Sequence, residues 1–293
     1  MRIFLTGSSG MLGNDLTAVL SQCHDLTMLD ETVLDITDEK AVRAAVTAAK
    51  PEVVVHAAAY TDVERAEDEP DTAFLVNETG TKHVALAAKR VGARVVYFST
   101  DFVFDGTKGA PYAESDKPHA LSVYGRSKLA GEQQAKGAGL YCVVRTAWLY
   151  GPQKANFVEK IIAAAGERGQ LKVTAAEVGS PTYTLDLALA TAWIVETGLT
   201  GLYHVTDAGW CTRYEFACEI VKQAGLENVM VEPAGSNEIR MKAARPTFGV
   251  LSTDLWESRG GPPLRHWKDA LRAYMSRHDR WTVLQLQKTK NQT

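Results

Sequence analysis

The chain has 293 residues, 45% of them hydrophobic, with a net charge of −3 and a pI near 6.2. That size suits one large domain or two modest ones with a sizeable core, and the near-neutral charge points away from nucleic-acid and membrane surfaces. No apolar run approaches the roughly 20 residues of a membrane helix, the start is no leader sequence, and Cys23, Cys142, Cys211 and Cys218 lack metal or disulfide spacing, so a reduced cytoplasmic protein is expected.

Residues 2–6 read as an apolar strand and 11–21 as a helix. Between them runs Thr6-Gly7-Ser8-Ser9-Gly10-Met11-Leu12-Gly13. Glycines at such a turn let the backbone approach a pyrophosphate, and the helix N-terminus offers N–H groups and a favourable dipole. Leu26–Asp30 is a second strand, ending in an acid suited to the adenine ribose hydroxyls. That acid favours NAD over NADP, and no arginine lies between Arg2 and Arg43 to meet a 2′-phosphate. Asp38–Lys50 is a helix that stops before Pro51, and Glu52–His56 is a buried-type strand in which His56 is structural. Pro70–Val91 reads as one long helix ended by Gly92, followed by a strand over Arg94–Phe98. Ser122–Lys136 is the next helix and Leu140–Arg145 the next strand. This alternation predicts an α/β protein with a Rossmann-type, doubly wound parallel sheet.

After Gly151 the alternation weakens. Short strands and loops are expected at Leu171–Ala175, Val178–Thr182, Leu202–Thr206 and Arg240–Pro246, with helices at 155–166, 184–197, 213–224 and 266–279. The division is a dinucleotide-binding domain over 1–150, with later segments able to return to it, and a smaller α/β substrate-binding lobe over 151–280. Residues 281–293 form a polar tail, expected to be partly disordered.

The chemistry points to Tyr124 and Lys128. Four residues apart on a helix, they share a face. An ammonium beside a phenol is expected to lower the tyrosine pKa and so make an acid usable near neutral pH, as carbonyl reduction needs.

Tyr-x-x-x-Lys after Ser99-Thr100-Asp101, in a dinucleotide-binding order, resembles the extended short-chain dehydrogenase/reductases. The segments Ala57–Glu67, Ser99–Gly106, Tyr124–Glu132, Arg145–Gly151, Gly179–Thr182, Gly201–His204 and Ala244–Pro246 resemble the dTDP-4-dehydrorhamnose reductase family. The resemblance covers roughly residues 1–275. It departs at Phe102, where a tyrosine is usual, a change expected to alter packing more than chemistry.

The resemblance implies reduction of the C4 keto group of a dTDP-4-keto-6-deoxy-hexose by NADPH or NADH, as in dTDP-L-rhamnose and polysaccharide biosynthesis. Tyr124 would donate the proton, Lys128 would lower its pKa and hold the nicotinamide ribose, and Thr100 would hydrogen-bond the substrate oxygen. Gly7, Gly10, Met11, Leu12, Gly13, Asp30, Asp35, Ile36, Ala59, Tyr60, Thr61 and Phe98 would hold the cofactor together with Tyr124 and Lys128. Asp101 and Trp148 would meet the sugar, although Trp148 also suits a core. Arg245 suits either a loop ion pair or the diphosphate, and Asn156 either a helix cap or the diphosphate. Some relatives bind Mg²⁺ through acids at a dimer interface. Asp15 matches one such position, Glu177 and Asp186 do not clearly supply the others, and no metal ligand is assigned. A homodimer is compatible with the family, and oligomeric state stays open.

Two rivals are weighed. Dehydratases of this fold carry Thr-Asp-Glu, whereas here Phe102 follows Thr100-Asp101; an epimerase needs further acids or bases that are not evident. A non-catalytic regulatory subunit, like the β subunit of methionine adenosyltransferase, shares the resemblance, but the intact Thr100, Tyr124 and Lys128 argue for catalysis.

Overall fold

In the computed structural model, residues 1–226, 228–235, 238 and 241–277 are described. Arg240, the end of the expected helix 266–279 and the tail 281–293 lie outside these. β1 (Arg2–Thr6) leads through the glycine turn into α1 (Met11–Leu20), and β2 (Asp25–Leu29) follows. α2 (Glu39–Ala49) begins where the Asp38 carboxylate accepts from the N–H groups of Lys40 and Ala41. β3 (Val53–His56) is buried along its length, and the short α3 (Val63–Ala66) follows.

The stretch expected as one helix over Pro70–Val91 is helical but not uniform. It consists of α4 (Pro70–Phe74), a π-helical segment over Leu75–Gly80, and α5 (Thr81–Arg90). The π segment carries Asn77, whose side chain accepts from the Tyr60 N–H (2.8 Å) and donates to the Tyr60 carbonyl and to Ser127 Oγ. Such widened turns cluster at functional sites. β4 (Arg94–Thr100) runs two residues past the expected Phe98, because Ser99 and Thr100 pair with Arg145 and Thr146 of β5 (Tyr141–Thr146).

Between β4 and β5 lies α6 (Val123–Lys136), capped by Ser122. It packs very close: a Cβ on Gly125 would fall 2.2 Å from the Phe102 carbonyl oxygen, and one on Gly131 2.2 Å from Tyr97 Oη. A buried ion pair fastens the helix. Arg145 donates two 2.8 Å hydrogen bonds to the Glu132 carboxylate, and Ser99 Oγ donates a third.

Beyond β5 come β6 (Leu149–Tyr150), α7 (Phe157–Glu167), β7 (Gln170–Thr174), β8 (Val178–Gly179) and β9 (Thr182–Tyr183). The strand expected over Val178–Thr182 is thus split at Ser180-Pro181, where proline has no N–H for a ladder. α8 (Thr184–Thr197), β10 (Gly201–His204), β11 (Cys211–Thr212), α9 (Arg213–Gln223), β12 (Met230–Ala234), α10 (Asp254–Ser258) and α11 (Trp267–Ser276) complete the order. β12 and α10 were not anticipated, and the residues described from 241 to 246 form no strand.

The central sheet is parallel, in the order β10-β5-β4-β3-β1-β2. The segment expected as a strand over Leu202–Thr206 belongs to this sheet, as β10 paired with β5. α1 and α8 cover one face through Leu12, Leu16, Leu187 and Ile194, against Ile3, Leu5, Val55 and Val144. α2, α5 and α6 cover the other through Val42, Val84 and Ala135, against Phe4, Val54, Val95 and Val143. A separate core unites Tyr150, Ile161, Val173, Phe216, Trp267 and Tyr274 from β6, α7, β7, α9 and α11.

Candidate active site

The strand order reverses between β1 and β3, since β2 lies on one side of β1 and β3 on the other. Crevices form at such switch points, outside the carboxyl ends of the strands. Here a cleft of about 710 Å³ opens, lined by the turn after β1 and by the residues that follow β3, β4 and β5.

One wall is main chain. Gly7 has φ +70°, and a Cβ there would fall 2.6 Å from the Ala58 nitrogen. A Cβ on Gly13 would fall 2.0 Å from the Gly7 carbonyl oxygen. Gly10 caps α1 without a side-chain bond, and no acid sits in the first turn, so the helix start faces the cleft with its N–H groups uncovered by side chains. Asp30 and Asp35 line the same wall. Each carboxylate accepts from the backbone N–H and hydroxyl of the threonine two residues on, Thr32 and Thr37, which holds both below the usual carboxylate range. Met11, Leu12, Ile36, Ala59, Thr61 and Phe98 complete it. These residues fit a dinucleotide: an uncapped helix start behind glycines that a side chain would block, and acids placed for a ribose.

Tyr60 is the exception among the expected cofactor residues. It does not line the cleft. Its hydroxyl donates to Glu69 (3.0 Å), and its main chain is taken by Asn77.

Tyr124, Lys128 and Thr100 meet in the cleft. Burial pushes the Tyr124 phenol above its ordinary pKa and the Asp101 charge adds to this, while a hydrogen bond with Thr100 opposes it. The expected lowering by Lys128 is not what the fold produces: the shift is upward, burial is its largest cause, and Lys128 is not among its causes. Burial also lowers Lys128, to about 7, against the upward pull of Glu132. The ammonium lies 4.3 Å from the centre of the Tyr97 ring, a cation–π contact that keeps it in place. Phe102 packs edge-on against Tyr124, with centroids 5.6 Å apart, so the departure at 102 does bear on the packing of the tyrosine.

The opposite wall is made of side chains. Asp101 is buried and pushed up to about 7 by desolvation; its Oδ1 accepts from Thr100 Oγ1 at 2.8 Å. Trp148 lines the cleft from a left-handed backbone position, φ +47°. Asn156 is a cap, as Oδ1 accepts from the Glu159 N–H, and it also lines the cleft. Arg245 both pairs with Glu64 (2.6 Å) and lines the cleft.

His56, buried between Thr6 and Thr81, is held neutral by burial and by the Lys128 charge, its pKa falling to about 3. The three weighed acids lie in separate contacts: Asp15 accepts from Thr184, Glu177 pairs with Arg213, and Asp186 pairs with Arg265. Among the described residues, no group of three or more His, Cys, Asp or Glu is placed to hold a metal ion. No helix among them is long and apolar enough to cross a membrane.

A family model described as the RmlD substrate binding domain matches residues 1–280. The dTDP-4-dehydrorhamnose reductase of Streptomyces griseus is 40% identical over 278 residues, covering 92% of this chain and 91% of the relative. The chain belongs to the dTDP-4-dehydrorhamnose reductase family. Another relative, the dTDP-4-keto-6-deoxy-D-glucose reductase of Streptomyces niveus, is 38% identical over 273 residues, covering 92% and 95% of the two chains. The crystal structure of a dTDP-4-dehydrorhamnose reductase from Bacillus anthracis in complex with NADP matches with TM-score 0.92 at 37% identity, over 94% of this chain and 99% of that one.

Within this reductase fold, Arg213 went unnoticed in the sequence. It opens α9, lines the cleft, and places its guanidinium 3.5 Å from the centre of the Trp148 ring. A single arginine after a capping threonine looks like any surface cation, so no local signal marks it. Asn77 carries no local signal either, since the π turn of Leu75–Gly80 has the composition of a regular helix.

Proposed function

We propose that this chain reduces the C4 keto group of a dTDP-4-keto-6-deoxy-hexose with NADPH or NADH, most simply dTDP-4-dehydro-L-rhamnose to dTDP-L-rhamnose, in the cytoplasm. The observation that carries this is the convergence of Tyr124, Lys128 and Thr100 at the end of a cleft whose other end is the uncapped glycine turn. When bound, the reduced nicotinamide supplies the hydride. The residues named for the first wall hold it, and those around Trp148, Asn156 and Arg245 hold the sugar nucleotide. The 1–150 segment then works with α8 and β10 as the dinucleotide half, and most of the later chain as the sugar half.

Tyr124 is protonated at neutral pH because burial disfavours phenolate. That is the form a reduction requires, so its Oη–H is ready to pass to the developing C4 alkoxide. Thr100 aligns the phenol by hydrogen bonding to it. Lys128, one helical turn on, offers an ammonium to the ribose and favours the phenolate as it forms. Arg245 supplies a guanidinium for the diphosphate.

The test is oxidation of NADPH or NADH by the purified protein with dTDP-4-dehydro-L-rhamnose and with other dTDP-4-keto-6-deoxy sugars. Turnover that Tyr124→Phe abolishes is expected. No turnover with any of them, or an unaffected Tyr124→Phe variant, rejects the reading and favours a non-catalytic role.

A further inference from the structure

The wall beyond Tyr124 contains a donor and an acceptor that no hydrogen bond among the described residues takes up. Arg213 starts α9, and its origin is fixed by a capping box in which Thr212 and Glu215 bond each other's backbone N–H groups. Its guanidinium stacks on Trp148 at 3.5 Å and lies 4.9 Å from the Phe157 ring centre. Arg213 Nε sits 3.6 Å from Glu177 Oε2, beyond hydrogen-bond length, so that pair orients the fork without occupying it. The guanidinium donates no hydrogen bond to the described residues. Trp148 is gripped in turn: a Cβ on Gly179 would fall 2.4 Å from its Cε2. Asp101 Oδ2 is buried and has no hydrogen-bond partner among the described residues, while Oδ1 is taken by Thr100. Asp101 and Arg213 feel each other's charge and line the same cleft.

Building on the keto-sugar reductase reading, we propose that Arg213 is a specificity-determining residue whose guanidinium, together with the Asp101 carboxyl lining the same cleft, reads hydroxyl groups of the hexose ring against the Trp148 indole. A ring hydroxyl donates to a carboxylate oxygen and accepts from a guanidinium N–H, so two neighbouring hydroxyls satisfy both groups at once. The indole offers the apolar surface that the C–H face of a 6-deoxy sugar prefers. Charge decides between sugar and diphosphate. The carboxylates of Glu177 and Asp101 both act on Arg213 and disfavour a phosphate but not a hydroxyl, against the opposing charge of Arg245. Arg245 carries the guanidinium better placed for phosphate, its carboxylate partner Glu64 being half-exposed.

The experiment compares wild type with Arg213→Gln and Arg213→Lys. It measures steady-state kinetics with dTDP-4-dehydro-L-rhamnose, competitive inhibition by dTDP alone, and NADPH binding by fluorescence titration. Arg213→Gln should raise the KM for the keto sugar about 10–100-fold, with kcat moved less. Arg213→Lys should also raise it, because an ammonium keeps the charge but loses the flat stack and the fork. Inhibition by dTDP and affinity for NADPH should stay within about twofold of wild type, the NADPH arm also reporting an intact fold. A KM that does not move overturns the proposal. So does dTDP inhibition that weakens in step with KM, which would put the guanidinium on the diphosphate, and so does parallel loss of NADPH binding, which would make the residue structural. A wild type that turns over no keto sugar instead removes the reductase reading itself.

Discussion

Around Gly7–Gly13 the cleft is walled by main chain, whereas around Trp148 it is walled by side chains drawn from the ends of β4 and β5, the start of α7, the start of α9 and the loop holding Arg245. The first wall depends on the absence of atoms: a methyl group at Gly7 or Gly13 has nowhere to go. The second depends on particular groups being present and mutually braced, such as Arg213 on Trp148 and Asp101 on Thr100. A backbone-built wall suits a ligand that never changes. A side-chain wall can be altered one residue at a time without touching the sheet, which suits a family whose relatives carry different sugar names.

Tyr124 stands where the walls meet, and removing its hydroxyl should have the largest effect. Tyr124→Phe is expected to lower kcat roughly 10²–10⁴-fold with NADPH binding intact, measured by steady-state kinetics and fluorescence titration. Next is the brace beneath both walls. Glu132→Gln leaves Arg145 buried without its counter-charge and should lower stability by about 3–5 kcal/mol in urea unfolding.

The side-chain wall should also titrate. Burial raises the folded Asp101 pKa from 3.8 to about 7, so the folded protein holds this proton more tightly than the unfolded chain. Stability from this group is present below pH 4 and falls as pH rises from about 4 to about 7. Asp101→Asn should remove that slope, worth up to about 4 kcal/mol, read from unfolding curves across the window. The smallest effect sharpens the comparison most. Gly13→Ala, which forces a methyl against the Gly7 carbonyl, should lower stability by about 1–3 kcal/mol and weaken NADPH binding more than dTDP binding, by urea unfolding and titration of each ligand. Equal loss of both would mean that the two walls are not separable.

The same contrast governs what could be read from the residues alone. The glycine turn is contiguous, its chemistry is steric, and Gly7, Gly10 and Gly13 stand in order in the chain. Tyr124 and Lys128 are also local, joined by one helical turn. The alternation of strands and helices over the first 150 residues foretold the parallel sheet, but not that β10 would complete it. Arg213 and Trp148 meet only through the fold, and neither carries a signal of the other. Tyr60 misled because its neighbours Ala59 and Thr61 do line the cleft, while Glu69 turns its own ring away. The π segment escaped because Leu75–Gly80 has ordinary helical composition. β12 escaped because Pro233 argues against a strand, and it survives as one of only two strands in its small sheet. The direction of the Tyr124 shift depended on burial, a property of the whole fold that a four-residue spacing cannot report.

The return of β10 to the sheet has a consequence for how the protein is made. β10 closes the edge beside β5, and α8 covers the apolar side of α1. Both leave the ribosome well after the glycine turn, α6 and β5. A nascent chain that has reached only Gly151 therefore exposes an unpaired strand edge and a bare stripe of leucines. A chain cut there is expected to aggregate or to bind a chaperone, and one extended by roughly fifty residues, through β10, to stay dispersed.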